Sequence, residues 1–496
     1  MHSKLSLPIK KIFLMCLVAF VFVMITIIVI IIAQGKQVTE KGIVDTSIVR
    51  LHTTPSDVTA YINDKQVKLI ENRIENIEPG EVRLQLNRDG YSTWEKILTL
   101  EAGMVKDIYA QLYPLELKFT QITKSDIDEI FFCEQADFIY YTILSTENPK
   151  EAGIWRLKLT RSLISFGEDS PSKLVEFDSK ILSIIQGTNY SIRPSYDNNR
   201  FILDIPEQKL IYIYNANKVN EYVDLVKQIG FYPEKVSWYR NSDAVIVQND
   251  KILFEYEIST DQKSLIYYSP DSHIVSTNNI QTAYVFKTKE KEFDKYVNKN
   301  ITMLKLPDSF IIPETVNKLY SPNSQTEVLI IEGSTGLTYI DLDKNFVDNF
   351  ADEGEILSVS SEANALVYKV KDKLFTYVLE TNVGNKPYHA QITEVNIKIN
   401  ELENIYYSPT GIHLIALLKT QEGNRTLWLM DSDGQNPRIL VSEKSISGNK
   451  SQITNNGATL YLLLEDNPSQ TTQLDNSSQN QNSHIIKNIY KLSLQQ

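Results

Sequence analysis

The sequence predicts an all-β chain carried behind one N-terminal helix, and three observations predict it. Tyrosine (27) and phenylalanine (18) are abundant, and β-branched residues recur in short runs, a composition that favours strands. Residues 406–440 read as four short strands separated by three turns, the unit of a β-meander. Weaker copies of that unit recur from about residue 117 onward. A lone four-stranded sheet has two faces to bury, so neighbouring copies must cover one another. The expected architecture is a transmembrane helix, a small β-sandwich, and then a seven- or eight-bladed β-propeller.

The helix comes first. Residues 12–33 contain no charged side chain, and Thr26 carries the only hydroxyl. At ~1.5 Å per residue this run spans about 33 Å, enough for a hydrocarbon core of roughly 30 Å. Lys4, Lys10 and Lys11 precede it without an acidic residue, while Glu40 and Asp45 follow among the lysines. That bias places residues 1–11 in the cytoplasm and the bulk of the chain outside it, as a single-pass protein of the cell membrane. A cleaved signal peptide fits less well, since its apolar region is shorter and Ile31-Ile32-Ala33 is a poor cleavage site. Residues 34–46 are polar and unpatterned, and read as a linker.

Residues 47–114 alternate apolar and polar. Val49 to Thr53 and Val58 to Ile62 form two strands around the Pro55 turn, and Val82 to Leu86 alternates strictly after Pro79-Gly80. Trp94 to Leu100 and Val105 to Leu112 complete the set. Alternation means one buried and one wet face, hence a small antiparallel sandwich with Tyr61, Tyr91 and Trp94 in its core. The order of the Pro55 turn, Ala60-Tyr61-Ile62-Asn63-Asp64, Pro79-Gly80, Gly90-Tyr91 with Trp94, and Leu112-Tyr113-Pro114 resembles the PEGA domain. In place of that family's name-giving tetrapeptide stands Pro55-Ser56-Asp57-Val58, and Asp64 replaces its usual glycine. The resemblance implies a module of bacterial and archaeal envelope proteins, one that binds in the wall or spaces a larger domain from the membrane. It implies no catalysis.

Beyond it, residues 115–496 carry the copies. Val236 to Ser242 precedes Ala244 to Val247 and Ile252 to Tyr256, and Leu319-Tyr320-Ser321-Pro322 precedes Val328 to Ile331 and Leu337 to Asp341. Ile356 to Ser361 precedes Leu366 to Tyr368 and Leu374 to Val378, and Leu460 to Leu463 with Asn488 to Leu492 form the last copy. Fainter copies centre on Phe138 to Tyr141, Phe201 to Leu203 and Thr282 to Phe286. The mean spacing of about 47 residues suits propeller blades, and no amphipathic helix supports a helical solenoid at that period. Ser408-Pro409-Thr410-Gly411 before one strand, and Trp428 to Gly434 across the next, resemble the WD40-like, TolB-type propeller repeat. Closing the ring leaves few sheet edges exposed, so the strand near Leu115 to Thr120 is expected to pair with the last, Asn488 to Leu494. Residues 466–483, rich in Asn, Gln, Ser and Thr, are expected to form a loop within the last blade.

Little chemistry declares itself. The formal charge of −12 gives a nucleic-acid partner no support. Cys16 lies in the apolar run and Cys133 stands alone beyond it, so no disulfide is expected outside the membrane. The six histidines show no metal-ligand spacing. Asp431-Ser432-Asp433-Gly434 lacks the further acidic positions of a calcium loop and the aromatic of a sialidase box, and reads as a type I turn. A peptidase would need a G-x-S-x-G elbow, and Gly333-Ser334-Thr335-Gly336 falls at a blade turn instead. His413 reads as a surface or capping residue and His389 as a loop residue, while Trp155, Trp238 and Trp428 read as packing between blades. No catalytic, cofactor-binding or metal-binding residue is singled out and no cofactor is expected.

The expected function is a non-enzymatic, membrane-anchored cell-envelope protein that presents its propeller to an envelope protein or a cell-wall glycan. The rival expectation is an extracytoplasmic lyase or glycoside hydrolase with carboxylates in the central channel. The two differ in what stands at the channel mouth: an enzyme needs paired carboxylates or a metal there.

Overall fold

The computed structural model describes residues 6–33, 36–39, 42–132, 138–145, 148–158, 171–216, 218, 221–240, 242–269, 274–278, 282–321, 327–383, 386–408, 411–420, 423–441, 446–453, 459–466 and 486–494, some of them by backbone alone. Cys133 and the polar loop expected at 466–483 fall outside these residues, apart from Asp466, which ends a strand.

The chain divides into two units, one formed mainly by residues 1–116 and one by 117–494. In the first, Ser6–Ala33 is helical. Among the described residues no helix is long and apolar enough to cross a membrane. Side chains of this helix are described over 13–26. Those side chains, Phe13, Phe20 and Phe22 among them, are exposed. The expected unpatterned linker instead contains a short antiparallel pair, Lys36–Thr39 with Gly42–Asp45.

Residues 47–111 form two sheets around one core. Ser47–Thr54 pairs antiparallel with Arg73–Ile77 and parallel with Val105–Gln111. The second sheet runs in the order Lys65–Val67, Thr59–Ile62, Gly80–Asn87, Trp94–Leu100. The parallel pair departs from the all-antiparallel expectation because the first and last strands of the sandwich share one sheet, with the other sheet built between them in sequence. Val82, Leu84 and Leu86 point inward on alternate positions and meet Val49, Leu51, Trp94, Leu98 and Ile108. Trp94 is buried as expected, whereas Tyr61 and Tyr91 are only half-buried, Tyr91 beneath the Arg88 guanidinium at 4.6 Å.

The second unit is a β-propeller of eight four-stranded antiparallel sheets among the described residues. Blades 1 to 7 span 130–176, 191–224, 235–268, 274–303, 316–351, 355–395 and 402–441, each with its strands in chain order. Blade 8 takes three strands from 446–493 and its outermost strand, Phe119–Gln121, from the start of the unit. Phe119 faces Leu492 and Gln121 faces Tyr490, which is the ring closure anticipated from the sequence.

Period-two burial explains why the sheets stack. In the second strand of blade 3, Val245 and Val247 pack toward blade 2 with Ile202 and Ile211, and Ala244 and Ile246 pack toward blade 4 with Ala283 and Val285. Blade 5 repeats the arrangement: Leu329 and Ile331 meet Tyr284 and Phe286 of blade 4, while Val328 and Ile330 meet Leu366 and Tyr368 of blade 6. Both faces of these strands are buried, so they read as continuous apolar runs. Each fully buried Val, Leu, Ile or Phe contributes about 1.5–3 kcal/mol, so the inter-blade seams dominate the stability of the ring. Ile139 and Tyr141 of blade 1 meet Tyr461, Leu463 and Ile489 of blade 8, and the ring is closed by packing as well as by pairing.

A serine recurs at the turn after the first strand. Ser195, Ser360 and Ser408 are buried. Each gives its amide to the carbonyl five residues on, of Arg200, Ala365 and His413, and its hydroxyl accepts the amide of that same residue. Between the blades, Ser179–Ile185 and Leu225–Ile229 are short helices capped by Asp178 and Asp224. At two turns or fewer they are too short for a helical period to show in the sequence.

Candidate functional site

The first strands of consecutive blades approach one another around the centre, blade 1 meeting blades 2 and 8, and blade 3 meeting blade 4. Ser191–Pro194 and Lys235–Tyr239 are the first strands of blades 2 and 3. Ile192 packs into the seam with blade 1, while Val236 and Trp238 pack into the seam with blade 2. Those anchors hold the polar residues between them. Arg193 gives Nη1 to the Val236 carbonyl at 2.5 Å and Nη2 to Asp204 Oδ2 at 3.3 Å. Tyr232 Oη donates to the other Asp204 oxygen at 2.8 Å, and Trp238 Nε1 donates to the Arg193 carbonyl at 3.0 Å.

Lys235, next to Val236, completes the cluster. Its side chain reaches solvent, yet burial and then the neighbouring Arg193 charge push its pKa down to about 8. Burial likewise lowers Arg193, with Asp204 opposing the shift. Tyr232 is pushed up to about 12 by burial and by its bond to Asp204, so it remains a hydrogen-bond donor at neutral pH.

Other charged groups of the propeller form ion pairs or hydrogen bonds. Glu355 lies 3.2 Å from Lys318 and 3.9 Å from Lys369, and Lys318 also approaches Glu332 at 3.9 Å. Glu403 pairs with Arg425 at 2.7 Å and Lys419 at 3.9 Å. Glu255, 1% exposed, takes Arg240 on one oxygen and Tyr296 Oη at 2.6 Å on the other, which ties blade 3 to blade 4. Tyr190 donates to Asp128 at 2.6 Å and shares a hydrogen bond with Thr142, and burial followed by Asp128 raises its pKa. Among the described residues no group of three or more His, Cys, Asp or Glu is placed to hold a metal.

The turn at Asp431–Gly434 is structural, and its chemistry is inward. Asp433 Oδ1 accepts the Gln435 amide at 3.2 Å and Asp431 Oδ2 accepts from Asn436 at 2.9 Å, as expected of a turn bonding its own neighbourhood. Asp433 is nevertheless 1% exposed: Thr376 Oγ1 of blade 6 donates to the Asp433 carbonyl, and Tyr407 Oη of the turn's own blade donates to that of Ser432. His413, expected as a surface or capping residue, is 2% exposed and so not at the surface, at the start of the strand His413–Lys419, and burial lowers its pKa to about 4. His389 belongs to the strand Lys386–Val395 rather than to a loop, and its side chain lies outside the described residues. Trp155, Trp238 and Trp428 all pack in seams between blades. The sequence reading missed Arg193 and Lys235. Their only local trace was a charged residue at or near the start of an apolar first strand.

This arrangement defines residues 117–494 as a β-propeller of eight sheets among the described residues, with Arg193 and Lys235 on adjacent first strands. No protein family and no curated protein matches the sequence. Among solved structures, the chain is similar to the WD40 domain of SCAP from fission yeast, at 12% identity over 76% of this chain and 98% of that one, with a TM-score of 0.45. It is also similar to the Cps50 (Swd1) β-propeller domain of Myceliophteria thermophila, at 11% identity, 76% and 99% coverage and a TM-score of 0.38. Oligopeptidase B from Leishmania major matches at 7% identity, 69% and 54% coverage and a TM-score of 0.43.

Proposed function

We propose that the chain is a non-enzymatic scaffold of the cell envelope, anchored in the cytoplasmic membrane by residues 12–33, with its PEGA-like sandwich and propeller outside the cytoplasm. The propeller presents the loops and first strands around its centre to a partner protein. The observation that carries the binding role is the state of the central carboxylates: Glu355 lies between two lysines and Glu403 between a lysine and an arginine. Acid–base or glycosidic chemistry uses two carboxylates whose environments drive their pKa values apart, and such groups are not kept neutralised by cations. A surface of paired charges suits recognition. The apolar run at 12–33 and the lysines before it support the anchor and its orientation.

Fractionation and crosslinking in intact cells test the reading. The full chain is expected in the membrane fraction, with its propeller open to protease added from outside, and in-cell crosslinking from the centre of the ring is expected to recover one protein reproducibly. Recovery in the soluble fraction, or crosslinks to lipid alone, overturns it.

A further inference from the structure

We propose that Asn300 is a site of N-linked glycosylation, and that its sugar covers the exposed outer edge of blade 4. This rests on the reading above that the propeller lies outside the cytoplasm, and adds a covalent modification to it.

Two independent observations meet on one strand. Asn300–Met303, the outermost strand of blade 4, opens with Asn300-Ile301-Thr302, the N-x-[ST] tripeptide that accepts N-linked sugar on the surface of exported chains. It follows the two-residue turn Asn298-Lys299, both residues left-handed, across which Asn300 pairs with Val297. All four residues of the strand are exposed. Among the described residues, every other outermost strand of the ring keeps at least one side chain half-buried or buried. The strand also carries no charge, and Ile301 and Met303 are 47% and 71% exposed. A bare, uncharged and apolar edge is a template for wrong pairing, and proteins ordinarily charge, bend or cover such edges. An oligosaccharide is bulky and solubilising, and attached at the start of this strand it provides the cover.

Of the tripeptides of this kind whose side chains are described, this one is the most available. Asn189 Nδ2 donates to Glu207 at 3.1 Å, and Tyr190 beside it is held by Asp128 and Thr142. After Asn424, Arg425 and Thr426 are half-buried, and Arg425 pairs with Glu403 at 2.7 Å. Asn300 Nδ2, by contrast, reaches the Asn298 carbonyl at 3.3 Å and Thr302 Oγ1 the Lys295 carbonyl at 3.4 Å, both beyond the usual hydrogen-bond lengths. The donor is an oligosaccharide carried on a polyprenyl diphosphate, and a membrane transferase supplies the base. Asn300 Nδ2 bonds to C1 of the first sugar. The bond from C1 to the diphosphate oxygen breaks, the lipid diphosphate leaves with the electron pair, and the amide gives up one proton to the base.

The test isolates the full chain in detergent from the cells that make it naturally and maps its proteolytic fragments by mass. The fragment containing Asn300 is expected to exceed its peptide mass by whole sugar units, released as sugar ions on fragmentation. Thr302→Ala should cut the modified fraction about tenfold or more, while Thr302→Ser retains it, because the transferase reads the hydroxyl two residues on. Asn300→Gln should aggregate about twofold or more faster than wild type, and Met303→Lys added to it should restore the wild-type rate, since a charge then guards the edge. These side chains are exposed, so the exchanges leave the fold intact, which far-UV circular dichroism verifies. A bare fragment from chain whose propeller is open to protease added outside the cell overturns the inference and leaves the scaffold reading standing. Sugar retained in Thr302→Ala, or equal aggregation of Asn300→Gln and wild type, also overturns it. A bare fragment from chain recovered in the soluble fraction overturns both.

Discussion

Asp197, in the turn after the first strand of blade 2, accepts a hydrogen bond from Ser242 Oγ of blade 3 at 2.6 Å. Its other oxygen accepts from Ser195 at 2.7 Å and from the Asn199 amide at 3.1 Å, so one carboxylate shapes its own turn and binds the next blade. Burial pushes its pKa up, but the bonds from Ser242, Ser195 and Asn199 outweigh burial and leave it lowered. A lowered folded pKa gives stability that is present above the unfolded value, near 3.9 for Asp, and is lost as pH falls through the folded value. Asp197→Ala is expected to destabilise the propeller by about 1–3 kcal/mol at pH 7, because four donors, the Asn199 side-chain amide among them, lose their acceptor. Ser242→Ala should cost about 1 kcal/mol. Urea unfolding of the two variants and their double mutant measures the coupling. Strict additivity would show that the bond between the blades contributes nothing.

His413 sets a second acid limit, at a higher pH. Burial lowers its pKa from 6.5 to about 4. Between those values the unfolded chain binds a proton that the folded chain does not, so stability falls as pH drops from 6.5 towards 4 and is unaffected above 6.5. At pH 5 the loss from this residue is about 2 kcal/mol relative to pH 7. Replacement of His413 by Gln should remove that slope while costing some stability at pH 7. The observable is the difference in unfolding free energy between pH 7 and pH 5, wild type against variant. An unchanged difference would assign the acid sensitivity elsewhere.

Two glycines separate backbone strain from crowding. Gly434 has φ +76°, and a Cβ there would lie 2.6 Å from Val395 Cγ2, whereas Gly423 has φ +88° with nothing within 4 Å. Gly423→Ala should cost only the left-handed backbone penalty, about 1–2 kcal/mol. Gly434→Ala adds displacement of a buried valine and should cost about 1–3 kcal/mol more. Thermal unfolding of both proteins ranks them. Equal midpoints would mean that Val395 yields without penalty.

What the sequence displayed and what it hid follow one physical division. The blades were visible because their stacking demands apolar strands between turn residues, and both are local features: Leu414 to Leu418 after the Ser408 turn is the clearest case. Arg73–Ile77 was missed because its sandwich strand buries only Ile74 and Ile77 and carries charge elsewhere. His413 was misplaced because a lone polar residue at a strand start gives no sign of how deeply its turn is set. Arg193 and Lys235 escaped for a different reason. Their meaning lies in a meeting of two blades, and the residues between them decide nothing about it.

The closure of blade 8 fixes the order in which the ring can be finished. Thr123 meets Asn488 across 365 positions, and the Ile489 amide bonds to Thr123 Oγ1. Joining ends that far apart carries an entropy term of about 5 kcal/mol on the logarithmic scaling with loop length, and that term is recovered only when the final strand arrives. Until then blade 8 lacks its partner strands, and Phe119–Gln121 is an unpaired edge. Unpaired edges are where chains associate wrongly. During synthesis the propeller therefore spends its longest vulnerable interval on its last blade, and a chaperone that shields the first strand would act there.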